Sequence, residues 1–174
     1  MRQAVDAPSL RAFMRELATR SGAEGRVYIT GGASSVLLEW RAKTVDVDVT
    51  IIPDSYDVFT TIRDLKDQLN INVEFASPSD FIPEIPGWQD RSKFIVREGK
   101  LDFYHYDFYS QCLAKIERGH RKDLADVASM LSSGLVEKAR LLELFERIES
   151  ELIRYPAIDA RDFRRAVETT IASA

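Results

Sequence analysis

Apolar residues at Leu10, Phe13, Met14 and Leu17 keep the i, i+3, i+4, i+7 spacing of one helix face, and Pro8 suits a first helical position, so a helix is predicted over residues 8–19. Gly22 and Gly25 end it. Residues 26–30 are β-branched and aromatic, which predicts a short strand stopping at Gly31-Gly32, and residues 33–40 follow as a helical run. Residues 44–52 alternate with period two as far as Pro53, residues 56–69 return to helical spacing through Phe59, Ile62 and Leu65, and residues 72–75 make a third strand. The stretch 77–89, holding Pro78, Pro83, Pro86 and Gly87, has no period and reads as a long excursion of the kind that forms a lip over a site. Residues 94–97 and 100–106 flank Glu98-Gly99, a hairpin connection. From there the spacing is helical over 107–118, 120–131, 136–154 and 160–171. The expected organisation is an α/β region over 1–106 and a helical region over 107–174, packed as one unit.

Composition narrows the class. The 174 residues are 45% apolar and 30% charged with 8 Gly and 6 Pro, enough for a real core, which excludes a collagen-like, low-complexity or largely disordered chain. With 24 Lys+Arg against 28 Asp+Glu the net charge is −4, so no global basic field marks a nucleic-acid binder. The single cysteine, Cys112, can neither close an intrachain disulfide nor build a Cys-rich zinc site, and its context is that of a small core hydrophobe. No apolar run approaches the ~18 residues needed to span a bilayer, and residues 1–6 lack a signal-peptide core, so a cytoplasmic protein without membrane contact is expected.

Two features carry chemistry. At Thr30-Gly31-Gly32-Ala33-Ser34-Ser35 a strand ends in two glycines and a hydroxyl-bearing stretch opens a helix; glycine permits close backbone approach, and helix-start N–H groups favour a phosphate. The same pattern also serves as a plain tight turn. In Asp46-Val47-Asp48 the alternation of a strand sets Val45, Val47 and Val49 on one side and the two carboxylates on the other, about 6.5–7 Å apart. Asp is depleted in strands and like charges repel, so a cation between them is the functional reading, and paired oxygen ligands suit Mg²⁺ completed by phosphates and water. A half-buried strand with a polar outer face is the structural alternative.

The order Gly31-Gly32, thirteen residues, then Asp46-Val47-Asp48-Val49 resembles the signature of the DNA polymerase β-like nucleotidyltransferase superfamily. That resemblance implies an α+β fold, a small mixed sheet with flanking helices followed by a C-terminal helical region. It implies nucleotide binding by Gly31, Gly32, Ser34 and Ser35, and Mg²⁺ or Mn²⁺ held by Asp46 and Asp48. Members usually carry a third acid on the next strand, so the resemblance makes Glu74, in place of the commoner Asp, the third metal ligand and a catalytic acid, with Asp102 on the hairpin competing for the role.

Within the helices, Lys115, Arg118, Lys122 and the acidic run from Asp123 to Asp126 resemble the tail of a minimal bacterial subgroup, the nucleotidyltransferase-like toxins of abortive-infection and toxin–antitoxin systems. The resemblance implies that Lys115, assisted by Arg118 and Lys122, gives positive charge to a triphosphate, and that Asp123 is the late catalytic acid. It also implies a cognate antitoxin as partner. The alternative is a solvated helix face with an i, i+4 pair between Lys122 and Asp126.

His105 and His120 show no metal spacing and read as structural, Trp40 and Trp88 as packing anchors, and Arg161, Arg164 and Arg165 as either a charged helix face or an RNA contact. The resulting expectation is a metal-dependent, ATP- or other NTP-using transferase that moves a nucleoside monophosphate to a hydroxyl on RNA, for example tRNA, or on protein. The rival is a non-catalytic nucleotide-binding relative.

Overall fold

The computed structural model describes residues 2–173; the expected regions' outermost residues, Met1 and Ala174, lie outside that range. In chain order the elements are α1 (Ala7–Ser21), β1 (Gly25–Thr30), α2 (Gly31–Leu37), β2 (Asp46–Ile52), α3 (Tyr56–Gln68), β3 (Asn72–Phe75), α4 (Trp88–Arg91), β4 (Lys93–Glu98), β5 (Leu101–His105), α5 (Phe108–Arg118), α6 (Arg121–Ser132), α7 (Lys138–Glu149) and α8 (Ala160–Ser173). The fold is α+β: a five-stranded mixed sheet with helices, followed by a helical region. The chain divides into two compact units, residues 1–77 with 92–106, and residues 78–91 with 107–174.

The first unit holds the sheet, in the order β3-β2-β1-β5-β4. β1 runs antiparallel to β2 and parallel to β5, β3 is parallel to β2, and β4 and β5 form the antiparallel hairpin. Helix α1 starts where the Asp6 carboxylate accepts from the Ser9 N–H at 3.0 Å, and it stops at Gly22, whose φ of 59° is left-handed. Its Leu10, Phe13, Met14 and Leu17 are fully buried with Val27, Ile29, Val47, Val49, Ile62, Leu65 and Val73. Each such side chain contributes about 1.5–3 kcal/mol through removal from water, so Phe13→Ala should cost about 3–5 kcal/mol. Because these strand residues alternate with Asp46, Asp48, Asn72 and Glu74, the helices cover one sheet face and the acids occupy the other.

Local expectations shift in three places. Val45 is 61% exposed, because the strand begins at Asp46 while Thr44 bridges to Val5 instead. Helix α2 starts at Gly31 and ends at Leu37, with Glu39 at a φ of 63° turning the chain away, so the glycines form its first turn and Trp40 lies beyond it. In the hairpin, Glu98 pairs with Leu101 and the two-residue connection is Gly99-Lys100, with Gly99 at the left-handed φ of 55°.

The second unit is helical. Asp107, completely buried, caps α5 by accepting from the Tyr109 and Ser110 N–H groups at 3.2 and 3.3 Å and pairs with Arg91 at 2.9 Å. This ties the 78–91 stretch to α5. Its Ile82, Ile85 and Trp88 are buried, so the proline-rich excursion is an anchored segment carrying a 3-10 turn and α4, and Trp88 is a packing residue. Of the expected helix over 136–154, α7 takes Lys138–Glu149, with Glu137 at its N-cap, and a 3-10 turn continues it at Ser150–Arg154. Phe145 of α7 meets Phe163 of α8 edge-on at 4.9 Å. Cys112 is buried, and burial pushes its thiol up to about 12.

Candidate functional site

The first unit sets three polar positions side by side on one sheet face, Thr30 opposite Asp48 and Asp48 opposite Glu74, on strands β1, β2 and β3. Asp46 stands two residues before Asp48 on the same face, opposite Asn72. The Asn72 side-chain amide donates to Asp46 Oδ1 and to Glu74 Oε1, both at 2.8 Å, so one NH₂ group bridges two carboxylates. That bridge offsets the like-charge repulsion on this face. Asn72 is a site residue that motif reading misses, although the period-two alignment of Asn72 with Glu74 places both on the acid face.

The glycine turn is built around the acids. A Cβ at Gly31 would lie 2.7 Å from Asp48 Oδ2, and Gly31 has a φ of +64°, so both sterics and backbone conformation require glycine there. A Cβ at Gly32 would overlap Thr44 Oγ1, whose hydroxyl donates to the Asp46 carbonyl at 3.1 Å. The two glycines thus let the turn close down on the strand that carries Asp46 and Asp48.

The serines that follow face inward. Ser34 and Ser35 are buried; Ser34 Oγ is 2.7 Å from His105 Nδ1, and Ser35 Oγ donates to the Gly31 carbonyl at 3.3 Å. Their hydroxyls brace the turn, and what the turn can offer a ligand is its backbone. His105, at the end of β5 opposite Ile29, is therefore a support of the glycine turn. Burial pulls its imidazole down to about 4, which keeps it neutral near pH 7. Only the parallel β1–β5 pairing brings it there, and no local motif announces that.

Asp102 lies on β5, separated from β2 by β1, and pairs with Arg97 across the hairpin at 3.3 Å. Glu74 is the acid in register with Asp48. Among the described residues no group of three His, Cys, Asp or Glu side chains gathers closely enough to cage a metal ion. The donor set fits Mg²⁺ or Mn²⁺ in the mode where one or two protein carboxylates hold the ion and substrate phosphates and water complete it, rather than in an all-protein cage.

In the second unit, the helical residues assemble with one another. Lys115 Nζ donates to Asp126 Oδ2 at 2.6 Å and to Asp123 Oδ1 at 3.3 Å, with all three side chains at most 6% exposed. Arg118 forks onto Asp123 at 2.8 and 2.9 Å. Burial alone would raise the Asp123 carboxyl, but the Arg118 hydrogen bonds and the Lys115 and Arg118 charges hold it below the ordinary carboxylate value. The expected phosphate-binding lysine and late catalytic acid thus neutralise each other in a clamp between α5 and α6. Lys122 is exposed, and Asp126 turns inward to Lys115. His120 is exposed at the start of α6. Arg164 forks onto Glu149 and reaches Glu168 at 3.2 Å, while Arg165 pairs with Asp162, so the arginine group is a charged helix face matched by its own acids.

Among the described residues no helix is long and apolar enough to cross a membrane. No curated protein and no solved structure matches the chain. A family described as a nucleotidyltransferase of unknown function (DUF6036) matches residues 8–172, the whole of both units but for a few terminal residues. The chain belongs to that nucleotidyltransferase family.

Proposed function

We propose that the protein transfers a nucleoside monophosphate from a nucleoside triphosphate to a hydroxyl acceptor with the help of Mg²⁺ or Mn²⁺. The observation that carries this reading is the Asp48 carboxylate seated against Gly31, with Asp46 on the same face and Glu74 in register beside it. Asp46 and Asp48 would hold the metal, which when bound polarises the α-phosphate and neutralises the leaving pyrophosphate. The Gly31-Gly32 backbone, which packs against Asp48 without a Cβ in the way, would receive the phosphates. Asn72 orients Asp46 and Glu74 by its two donated hydrogen bonds. As the acceptor oxygen bonds to the α-phosphorus and the bond to the β-phosphate oxygen breaks, the hydroxyl proton passes to Glu74. Asp123, clamped by Lys115 and Arg118, has no part in this scheme.

Among the described residues Asp46, Asp48 and Glu74 do not gather closely enough to cage a metal by themselves, which favours a second reading, a nucleotide-binding protein that performs no transfer. Membership of the toxin-like subgroup, with its antitoxin partner, rests on the Lys115–Asp126 stretch alone, for which the α5–α6 clamp gives a structural reason. The test is incubation with each α-labelled triphosphate, Mg²⁺ or Mn²⁺, and separate RNA and protein fractions as acceptors. Label transferred to one fraction, lost in Asp46→Asn and in Asp48→Asn, supports the transferase; metal-dependent binding without transfer supports the second reading.

A further inference from the structure

On the opposite side of the sheet from the acids, α3 and the edge strand β3 enclose a groove of about 420 Å³. Tyr56, Phe59, Ile62 and Phe75 form its apolar part, and Arg63 and Lys66 bring two cations to it. Phe75 is 52% exposed and Tyr56 80% exposed, while Phe59 packs edge-on against Phe75 with ring centroids 4.8 Å apart. Solvent-facing aromatics gathered in one place mark an interaction surface more often than isolated ones do.

The strand forming one wall has an open edge. Among the described residues β3 pairs with β2 alone, and the Ala76 N–H donates to the Val49 carbonyl at 3.2 Å. By the period of two, the backbone groups of Val73 and Phe75 then point away from β2, along the outer edge, where a further strand would find them. The groove is partly open to solvent, and a small ligand needs most of its surface enclosed, so it suits an extended chain better than a compact molecule.

The side-chain spacing fits such a chain. Phe59 and Arg63, like Ile62 and Lys66, are one helical turn apart, about 5.4–6 Å, and alternate residues of an extended strand are about 6.6–6.8 Å apart. A strand laid on β3 with an apolar side chain against Phe59 and Phe75 would therefore present its residue two positions away to Arg63 and Lys66. Arg63 is held only by an exposed 3.5 Å contact with Asp64 in the ion pairs described, so an incoming carboxylate competes with a weak partner.

We infer that the α3–β3 groove binds an extended peptide of a partner protein by strand addition to β3, reading an apolar residue with an acidic one two positions away. Main-chain hydrogen bonds to Val73 and Phe75 supply affinity, and the aromatic wall and the two cations supply specificity. This site is separate from the nucleotidyl-transfer reading and stands without it.

Selection of random peptides displayed on phage against the full-length protein tests the inference. The expected enrichment is an apolar residue and an Asp or Glu separated by one position, in the order set by the direction of the added strand, with about tenfold weaker binding of the enriched peptide to Phe75→Ala and to Lys66→Glu. Arg63→Glu with Lys66→Glu should turn the preference toward Lys or Arg. A proline placed at the ladder-donating position of the peptide should abolish binding, and circular dichroism checks that each variant is folded. No enrichment, an enrichment indifferent to charge reversal, or binding unchanged by Phe75→Ala overturns the inference. So would an oligoribonucleotide that shifts the Phe75 and Lys66 NMR signals where the peptide does not, or a Phe75-dependent dimer of the protein in sedimentation.

Discussion

Replacing Lys115 by Met separates a structural clamp from a phosphate contact. Lys115 is 4% exposed, and its removal leaves Asp123 and Asp126, 6% and 3% exposed, without their shared cation. Removing one partner of a buried pair costs about 3–5 kcal/mol, since the remaining charge stays desolvated. Arg118 still holds Asp123, so the loss falls mainly on the 2.6 Å Lys115–Asp126 pair. For a chain of this size about 1 kcal/mol corresponds to about 2–4 °C, which places the loss in Tm at about 6–20 °C. Adding Asp126→Leu to Lys115→Met should recover part of that loss, because an apolar side chain replaces the buried carboxylate that has lost Lys115. Thermal unfolding followed by circular dichroism gives the shift, and calorimetry with ATP and Mg²⁺ gives the binding. A phosphate-contacting lysine behaves differently: Tm stays within about 2 °C while affinity falls by the ~1.5–3 kcal/mol of a charge-assisted hydrogen bond. That result, or a double variant less stable than the single one, would refute the clamp.

Gly31→Ala should lower both stability and metal-dependent nucleotide binding, because its Cβ meets Asp48 Oδ2 at 2.7 Å and its φ of +64° costs a non-glycine residue about 1 kcal/mol or more; calorimetry and denaturant unfolding read the two effects. Asn72→Ala should weaken Mn²⁺ binding several-fold with a stability change of about 1 kcal/mol or less, as paramagnetic line broadening and urea midpoints would show; unchanged Mn²⁺ affinity would count against its bridging role. For His105, whose folded value of about 4 lies below the unfolded 6.5, the unfolded chain takes up the proton first. Its contribution is therefore complete above pH 6.5 and lost as pH falls from 6.5 to 4, so His105→Gln should flatten the urea midpoint in that window relative to the native protein.

How much the sequence reveals depends on the range of the contacts involved. The glycine turn and the Asp46/Asp48 alternation are local patterns, and the structure sets the turn against the strand because Gly31 leaves room for the Asp48 carboxylate. Helix and strand positions are legible for the same reason, with errors where a distant partner intervenes, as when Thr44 pairs with Val5 and leaves Val45 exposed. Lys115 shows the limit: its spacing to Asp123 and Asp126 is visible, but only the packing of α5 on α6 turns a charged stretch into a buried clamp. Asn72 and His105 are silent in sequence because their roles follow from the β2–β3 and β1–β5 pairings, which join residues far apart along the chain.

Asp46 and Asp48, beside Gly31-Gly32, are proposed to form a metal-dependent nucleotide site. Isothermal calorimetry of ATP, GTP, CTP and UTP, with and without Mg²⁺ or Mn²⁺, addresses it in the native protein and in Asp46→Asn with Asp48→Asn. At least one triphosphate is expected to bind only with the divalent cation, and the double variant to lose that binding while keeping its fold. Binding of none of the four, or binding equally strong in the double variant, would contradict it.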